Sequence, residues 1–281
     1  MKTSANQSTA IETFGQLHSA GCFVLPNPWD PGTARYLQHL GFKALATTSA
    51  GFAFARARSD GAVPRDEMLA HIREIASVTP LPVNADFLNG FADEPQGIAN
   101  NVTLCLATGV AGLSIEDSTG KEDRPLYDKT LAVERIKAAR RAIDKSGTRV
   151  ILTARCEAFL VGDSKPLATA LARLTAFAEA GADCLYAPGL TEPTEIAAIV
   201  KAVAPKPVNV LVSGFNAQLS LAQLAEIGVR RISVGSGLAL VAWGAFTRAA
   251  GQIAAEGTFG LLAQGARSTE LNGLFSEKVR A

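Results

Sequence analysis

One phrase recurs along this chain and limits its fold more than any other feature: a helical stretch, a small residue or two, a glycine, and then a short apolar run. It reads Leu40-Gly41-Phe42-Lys43-Ala44-Leu45, Thr108-Gly109-Val110-Ala111-Gly112-Leu113, Ala180-Gly181-Ala182-Asp183-Cys184-Leu185 and Ile227-Gly228-Val229-Arg230-Arg231-Ile232. A helix that stops on glycine uses the left-handed backbone that only glycine adopts without steric cost. The apolar run behind it suits a strand buried on both faces. Each phrase therefore reads as the helix-to-strand joint of a parallel sheet.

The pattern predicts eight strands, at Cys22–Leu25, Ala44–Thr48, Pro82–Asp86, Gly112–Glu116, Arg149–Arg155, Cys184–Ala187, Pro207–Leu211 and Arg231–Val234. Helical periodicity lies between them. In Arg65–Ser77 the apolar residues Met68, Leu69, Ile72 and Ile75 share one face, and Leu131–Ile143 and Leu167–Ala180 read the same way. Eight alternating units without a linker predict an α/β fold of the (β/α)8 TIM-barrel type, with residues 1–281 as one domain. An open doubly wound sheet is the alternative, but no Gly-x-Gly-x-x-Gly follows an early strand. Residues 239–281 form a C-terminal helical extension, with a helix over Ala239–Glu256 that is longer than one barrel helix needs. That helix is expected to pack on a neighbouring subunit.

Composition removes several classes of partner. Lys+Arg number 27 against 26 Asp+Glu, a net charge of +1, so nucleic acid and anionic membranes are not expected. The first twenty residues lack the apolar core of a signal peptide, and no apolar run approaches the ~18 residues of a membrane span. The four cysteines form no Cys-x-x-Cys pair, which argues against a zinc or redox motif and for a reduced, cytoplasmic setting.

Barrel enzymes carry their chemistry at the C-terminal ends of the strands. Those ends hold Asn27-Pro28-Trp29-Asp30, Ser49-Ala50-Gly51 followed by Asp60, then Asp86, Glu116-Asp117 and Arg155-Cys156-Glu157; the later strands end at Tyr186, near Asn209, and at Ser233. Several carboxylates facing one cavity stay ionised together only with a cation among them, and oxygen ligands select Mg²⁺ or Mn²⁺. Asp86 and Glu116, each closing an apolar strand, are read as metal ligands. Asp117 and Glu157 are read as helix caps. Arg155 needs an anion, either a substrate carboxylate or a structural partner in Glu157 or Glu116. The small turn Ser49–Gly51 offers backbone N–H groups to an anion. His18, His39 and His71 all fall on helices, which disfavours a histidine base or a His₃ zinc site. The cysteines read as structural, with Cys156 pointing away from Arg155.

These residues, in this order on successive strand ends, resemble the isocitrate lyase / phosphoenolpyruvate mutase superfamily over about residues 20–250. The resemblance implies a barrel whose last helix swaps between subunits of a homodimer or homotetramer. It also implies Mg²⁺ and a small 2-oxo or 2-hydroxy carboxylate substrate handled through an enolate. Asp86 matches the residue that contacts the metal, and Asp60 and Glu116 match those that hold its waters. Ser49, Ala50, Gly51 and Arg155 match the groups that grip the substrate, and Trp29 matches an aromatic of the pocket wall; Asn209 is added to the substrate-binding set. Three positions depart from the pattern. The loop Asp117–Pro125 has no Cys or His, Leu88 stands where an acid is usual, and Ala187-Pro188-Gly189 follows strand six. The departures count against isocitrate-type cleavage. They leave C–C lysis or decarboxylation as the expected reaction, with P–C chemistry and a carboxylate-binding barrel without catalysis as the rivals. Ser118–Tyr127 reads as a gating loop that brings Lys121 or Arg124 to the substrate. Tyr127, Lys121 and a metal-bound water are the candidate acids.

Overall fold

The computed structural model of the protein describes residues 5–276. Its centre is eight short strands: β1 (Phe23–Leu25), β2 (Leu45–Ala46), β3 (Val83–Asp86), β4 (Gly112–Glu116), β5 (Ile151–Arg155), β6 (Cys184–Tyr186), β7 (Val208–Leu211) and β8 (Arg231–Ser233). All are parallel, in the order β1-β8-β7-β6-β5-β4-β3-β2. The two ends of that order are tied together where the Ala46 amide donates to Pro26 O at 3.0 Å and Asn27 Nδ2 donates to Thr47 O at 2.9 Å. Asn27 Oδ1 also accepts from the amides of Val234 and Gly235, so one side chain joins the ends of β8, β1 and β2. This is the (β/α)8 barrel that the sequence predicts.

The helices follow as α1 (Ala5–Ser19), α2 (Pro31–His39), α3 (Ser49–Ala55), α4 (Arg65–Ser77), α5 (Pro95–Leu106), α6 (Lys129–Lys145), α7 (Pro166–Glu179), α8 (Pro193–Val203), α9 (Leu221–Ile227), α10 (Gly237–Glu256) and α11 (Ser268–Ser276). The four joint glycines have φ of +85°, +97°, +100° and +98°, the left-handed backbone expected of them. Strands β3 and β7 begin one residue later than expected, because Pro82 and Pro207 have no N–H for the ladder. β2 is shorter than Ala44–Thr48 because Thr48 leaves the sheet to cap α3, its hydroxyl accepting the Gly51 amide at 3.2 Å.

Alternation along the strands sorts the side chains. In β5 Leu152 and Ala154 face the helices and join a cluster with Ile136, Ile143 and Leu174, while Thr153 and Arg155 face the lumen. Barrel lumens are commonly filled by branched apolar side chains. This one holds Asn84, Ser114, Thr153, Asn209 and Arg231, all buried. The helix α1 closes its lower end. Gln7 Nε2 bonds the carbonyls of Leu106 and Val110, and Phe14 packs so closely on β4 that a Cβ at Gly112 would stand 2.6 Å from its ring. The last elements are different. Of α10 only Ala239 is buried, while Val241 and Phe246 are 70% and 61% exposed. α11 turns back to α2, with Arg35 over the Phe275 ring at 5.7 Å. No helix of the described residues is long and apolar enough to cross a membrane.

Candidate active site

Three adjacent strands bring their last residues together at the upper end of the barrel. Arg155 Nη1 lies 3.5 Å from Asp86 Oδ1 and 3.5 Å from Glu116 Oε2. The other edge of the same guanidinium is held by Glu157, through Nε to Oε1 and through Nη2 to Oε2 at 3.0 Å, a bidentate clamp that fixes its plane. Asp86 is set from β2: its amide donates to Thr47 Oγ1 at 2.9 Å, and its Oδ2 accepts the Ser49 amide at 2.9 Å. Glu116 is set by its amide, which donates to the carbonyl of Leu88, itself in the left-handed region at φ +49°. Leu88 thus contributes through its backbone at a position where an acid was expected.

Asp117 and Glu157 do not cap helices, contrary to the sequence reading. Asp128 caps α6, whereas α7 begins at Pro166 without a side-chain cap. Asp117 is turned inward instead, accepting the Glu157 amide at 2.8 Å and Arg173 Nη1 at 3.1 Å. A carboxylate two residues beyond an arginine reaches back to it more readily than it reaches a helix start eight residues on.

The charges do not balance. Burial raises the pKa of Glu116 well above the usual carboxylate range; the Arg155 charge opposes this, and Glu157, Asp86 and Asp60 add to it. Burial raises Glu157 as well, against the pull of Arg155. Asp60 stands on an exposed turn yet is also raised, first by loss of water around its carboxyl and then by Asp86, with the Ser49 hydroxyl opposing. Burial would lower Arg155, but Glu157, Glu116, Tyr186 and Asp86 together carry it higher. Four carboxylates thus share one guanidinium in a poorly solvated mouth, and each addition of negative charge is resisted.

The profile of the phosphoenolpyruvate phosphomutase family matches residues 14–254. The chain belongs to that family. A solved structure of a putative lyase/mutase from Burkholderia cenocepacia J2315 is 45% identical, with 98% of each chain covered and a TM-score of 0.94. A probable 2-methylisocitrate lyase 2 of Corynebacterium glutamicum is 29% identical over 83% of this chain and 76% of its own length. A phosphonopyruvate hydrolase solved with oxalate and Mg²⁺ shares the fold at 24% identity, a TM-score of 0.83, and coverage of 95% and 94%. These are lyases, mutases and hydrolases on one scaffold, and the superfamily resemblance read from the strand ends is correct.

Within this family frame the remaining expected residues fall in different places. Ser49, Ala50 and Gly51 are the first turn of α3, not a free loop. The amides of Ser49 and Gly51 are taken by Asp86 and Thr48. Trp29 backs Gly51 and lines an apolar groove of about 300 Å³ with Ala239, Trp243 and Phe246, beside the mouth. Lys121 and Arg124 are exposed on the loop above α6. Tyr127, a candidate acid from the sequence, is already engaged. Its hydroxyl donates to Asp93, Arg135 stacks on its ring at 3.9 Å, and burial together with Asp93 pushes its pKa up to about 12. Arg135 meanwhile binds the carbonyls of Asn89, Ala92 and Asp93, pinning the loop that follows Asp86. Cys156 is buried and its thiol is pushed up by burial, in keeping with a packing role.

Below the mouth, Asp86, Arg155, Tyr186, Asn209, Arg231 and Ser233 line a small cavity of about 40 Å³, room for a water molecule or so. Tyr186 and Ser233 end their strands in the sequence reading but were not singled out, and Arg231 was seen only as part of a strand. The signal for it was a charged residue inside an apolar strand, which demands buried partners. A larger depression, about 920 Å³, lies at the opposite end between α1 and α6, lined by Glu12, Arg140, Asp144 and Asp183. It is remote from every strand end that carries chemistry. Of its two arginines Arg140 is already paired with both aspartates, and the smaller cavity at the strand ends is the candidate site.

Proposed function

We propose that this protein is a Mg²⁺-dependent lyase that cleaves a C–C bond, or decarboxylates, in a small 2-oxo or 2-hydroxy carboxylate through a pyruvate-like enolate. The observation that carries this reading is the convergence of Asp86, Glu116 and Glu157 on Arg155, with Asp60 above. The donors are all oxygen, the choice of hard divalent cations, and their negative charge exceeds the single guanidinium. Among the described residues no three acidic, His or Cys side chains converge tightly enough to hold an ion alone, so one bound here would keep several waters, as Mg²⁺ does. Asp86 would hold it, with Asp60 and Glu116 on its waters. When bound, the ion supplies positive charge beside the oxygen that turns negative.

The protein's own groups do the rest. Arg155, fixed by Glu157, presents Nη1 to the substrate carboxylate in place of its long contacts with Asp86 and Glu116. The free amide of Ala50 and the Ser49 hydroxyl orient the oxo oxygen. The loop Ser118–Leu126, closed at its base by an antiparallel bridge between those two residues, would cover the bound substrate and exclude water. Asn209, held at both ends of its amide, acts from below rather than by touching the substrate. The apolar face of α10 and its groove near Trp29 support a homodimer or homotetramer in which a second copy covers them.

The second reading is P–C cleavage or transfer on a phosphonate or enol phosphate. It is favoured by the family profile and by a covering loop without Cys or His. A turnover panel of 2-oxo acids, 2-hydroxy diacids and phosphonopyruvate with Mg²⁺, beside a crystal soaked with Mg²⁺ and oxalate, separates the two. Pyruvate formed without phosphate supports the lyase. Phosphate release, or conversion of phosphonopyruvate to phosphoenolpyruvate, supports the alternative, and oxalate binding without turnover rejects both.

A further inference from the structure

The lyase reading needs a group that gives a proton to carbon, and among the described residues no histidine or cysteine lines the cavity at the mouth. The buried layer beneath it is connected in one direction. Arg231, 2% exposed, has only donors. Its Nε donates to Asn209 Oδ1 at 2.9 Å, which fixes the amide so that Asn209 Nδ2 donates to Ser233 Oγ at 2.9 Å. Ser233 therefore has its own proton to give elsewhere, and it lines the same cavity as Tyr186, where its hydroxyl favours negative charge on the phenol oxygen. The other nitrogens of Arg231 are anchored too: Nη2 on Thr153 Oγ1 at 3.0 Å and Nη1 on His18 Nε2 at 3.2 Å. His18 Nδ1 lies 2.7 Å from the carbonyl of Phe14 and must donate to it, so Nε2 is the acceptor.

The donors run from Arg231 through Asn209 to Ser233, and Ser233 shares its small cavity with Tyr186, Asp86 and Arg155. The phenol of Tyr186 therefore stands at the cavity wall, where its proton is available to a group that enters from the mouth. The guanidinium of Arg155 lies 5.3 Å from the ring centroid. We propose that Tyr186 is the catalytic proton donor of this site, with Arg231, Asn209 and Ser233 as positioning residues that aim its hydroxyl. The inference rests on the lyase reading. As the C–C bond breaks, its electron pair passes into the enolate. When the C=O re-forms, the enolate carbon takes the Tyr186 proton to make the new C–H bond. The phenolate left behind is stabilised by Arg155 and Ser233 and regains a proton from water. Burial pushes the phenol up to about 12, opposed by Arg155 and Ser233, so it holds its proton at neutral pH until a stronger base is generated beside it.

The test compares the full-length parent with Tyr186→Phe and Ser233→Ala, all with Mg²⁺. Oxalate affinity is measured by calorimetry, kcat and KM on whichever acid turns over, and turnover is repeated in D₂O with a substrate methylated at the carbon to be protonated. For Tyr186→Phe we expect oxalate affinity within threefold of the parent and kcat down by about 10²–10⁴-fold with KM little changed. We also expect the deuterium to arrive on both faces of the carbon rather than one. A purely structural role would not scramble that stereochemistry. For Ser233→Ala we expect an intermediate fall of about tenfold, again in kcat. A Tyr186→Phe variant with parental kcat and one-sided deuteration overturns the tyrosine alone. A parent that turns over no acid overturns the lyase reading and the tyrosine with it. Should Tyr186→Phe not fold, Ser233→Ala decides, and parental kcat there overturns the proposal.

Discussion

Two arginines are buried in the lumen of this barrel, one strand-layer apart, and they are treated in opposite ways. Arg155 at the mouth is ringed by Asp86, Glu116 and Glu157. Arg231 at the floor is ringed by an amide, a hydroxyl and an imidazole, none of them charged. The floor answers each nitrogen of the guanidinium with a neutral acceptor. The mouth brings too many anions to one cation, at distances that are loose except to Glu157. A buried ionic cluster of that kind is a poor source of stability. It is a good site for a ligand, because an arriving cation or carboxylate relieves a conflict that folding left in place. The difference teaches that a buried arginine is not a sign of function in itself; the balance of its surroundings is.

The comparison can be broken most severely at the mouth. Arg155→Gln should cut kcat/KM by about 10³-fold or more, some 4 kcal/mol of transition-state stabilisation, with oxalate affinity falling in parallel. Steady-state kinetics and calorimetry check both. A variant that keeps its activity would leave the mouth without a ligand-binding role. At the floor, Arg231→Met keeps the bulk but strips Asn209, Thr153 and His18 of their donor. At about 1 kcal/mol for each lost bond the cost is about 3 kcal/mol of stability, read by chemical denaturation.

The two layers should also answer pH with opposite signs. Burial, and then the Arg231 charge, lower His18 to about 3. A lowered histidine contributes stability that is present above its unfolded value near 6.5 and is lost as pH falls towards the folded value. Between pH 7 and pH 5 this costs about 2 kcal/mol, a loss that His18→Gln should largely remove in denaturation at the two pH values. Glu116 and Asp60 are raised, so their contribution is present below the unfolded carboxylate range and is lost as pH rises through the folded values. The smallest expected effect follows from that sign. Millimolar Mg²⁺ should raise Tm by a few degrees at pH 8 and by less at pH 5, as differential scanning calorimetry would show.

The sequence carried the barrel because its signals were local: glycines at helix ends, apolar runs behind them, and a complete periodic face in Arg65–Ser77, which matches α4 residue for residue. The positions of Asp86, Glu116 and Arg155 on strand ends were legible for the same reason. The direction of a side chain after the strand stops was not. Asp117 and Glu157 sit where helix caps are common, and only the neighbouring strand shows that they turn inward to Arg173 and Arg155. Nor does local sequence reveal that Ser49 and Gly51 spend their amides on Asp86 and Thr48, or that Tyr127 belongs to Asp93. The floor was the least legible part, since Arg231, Asn209, Ser233 and His18 come from separate segments as much as 213 residues apart.

The join between β1 and β2 has a mechanical consequence. Every other neighbouring pair of strands is laced along its length, whereas these two meet through one backbone bond and the amide of Asn27. The hoop therefore yields first at that stitch, and the residues on either side of it are Trp29 and the turn at Ser49. Beyond that backbone bond, closure of the ring at this point rests on the single side chain of Asn27, whose amide holds Thr47 on one side and Val234 and Gly235 on the other.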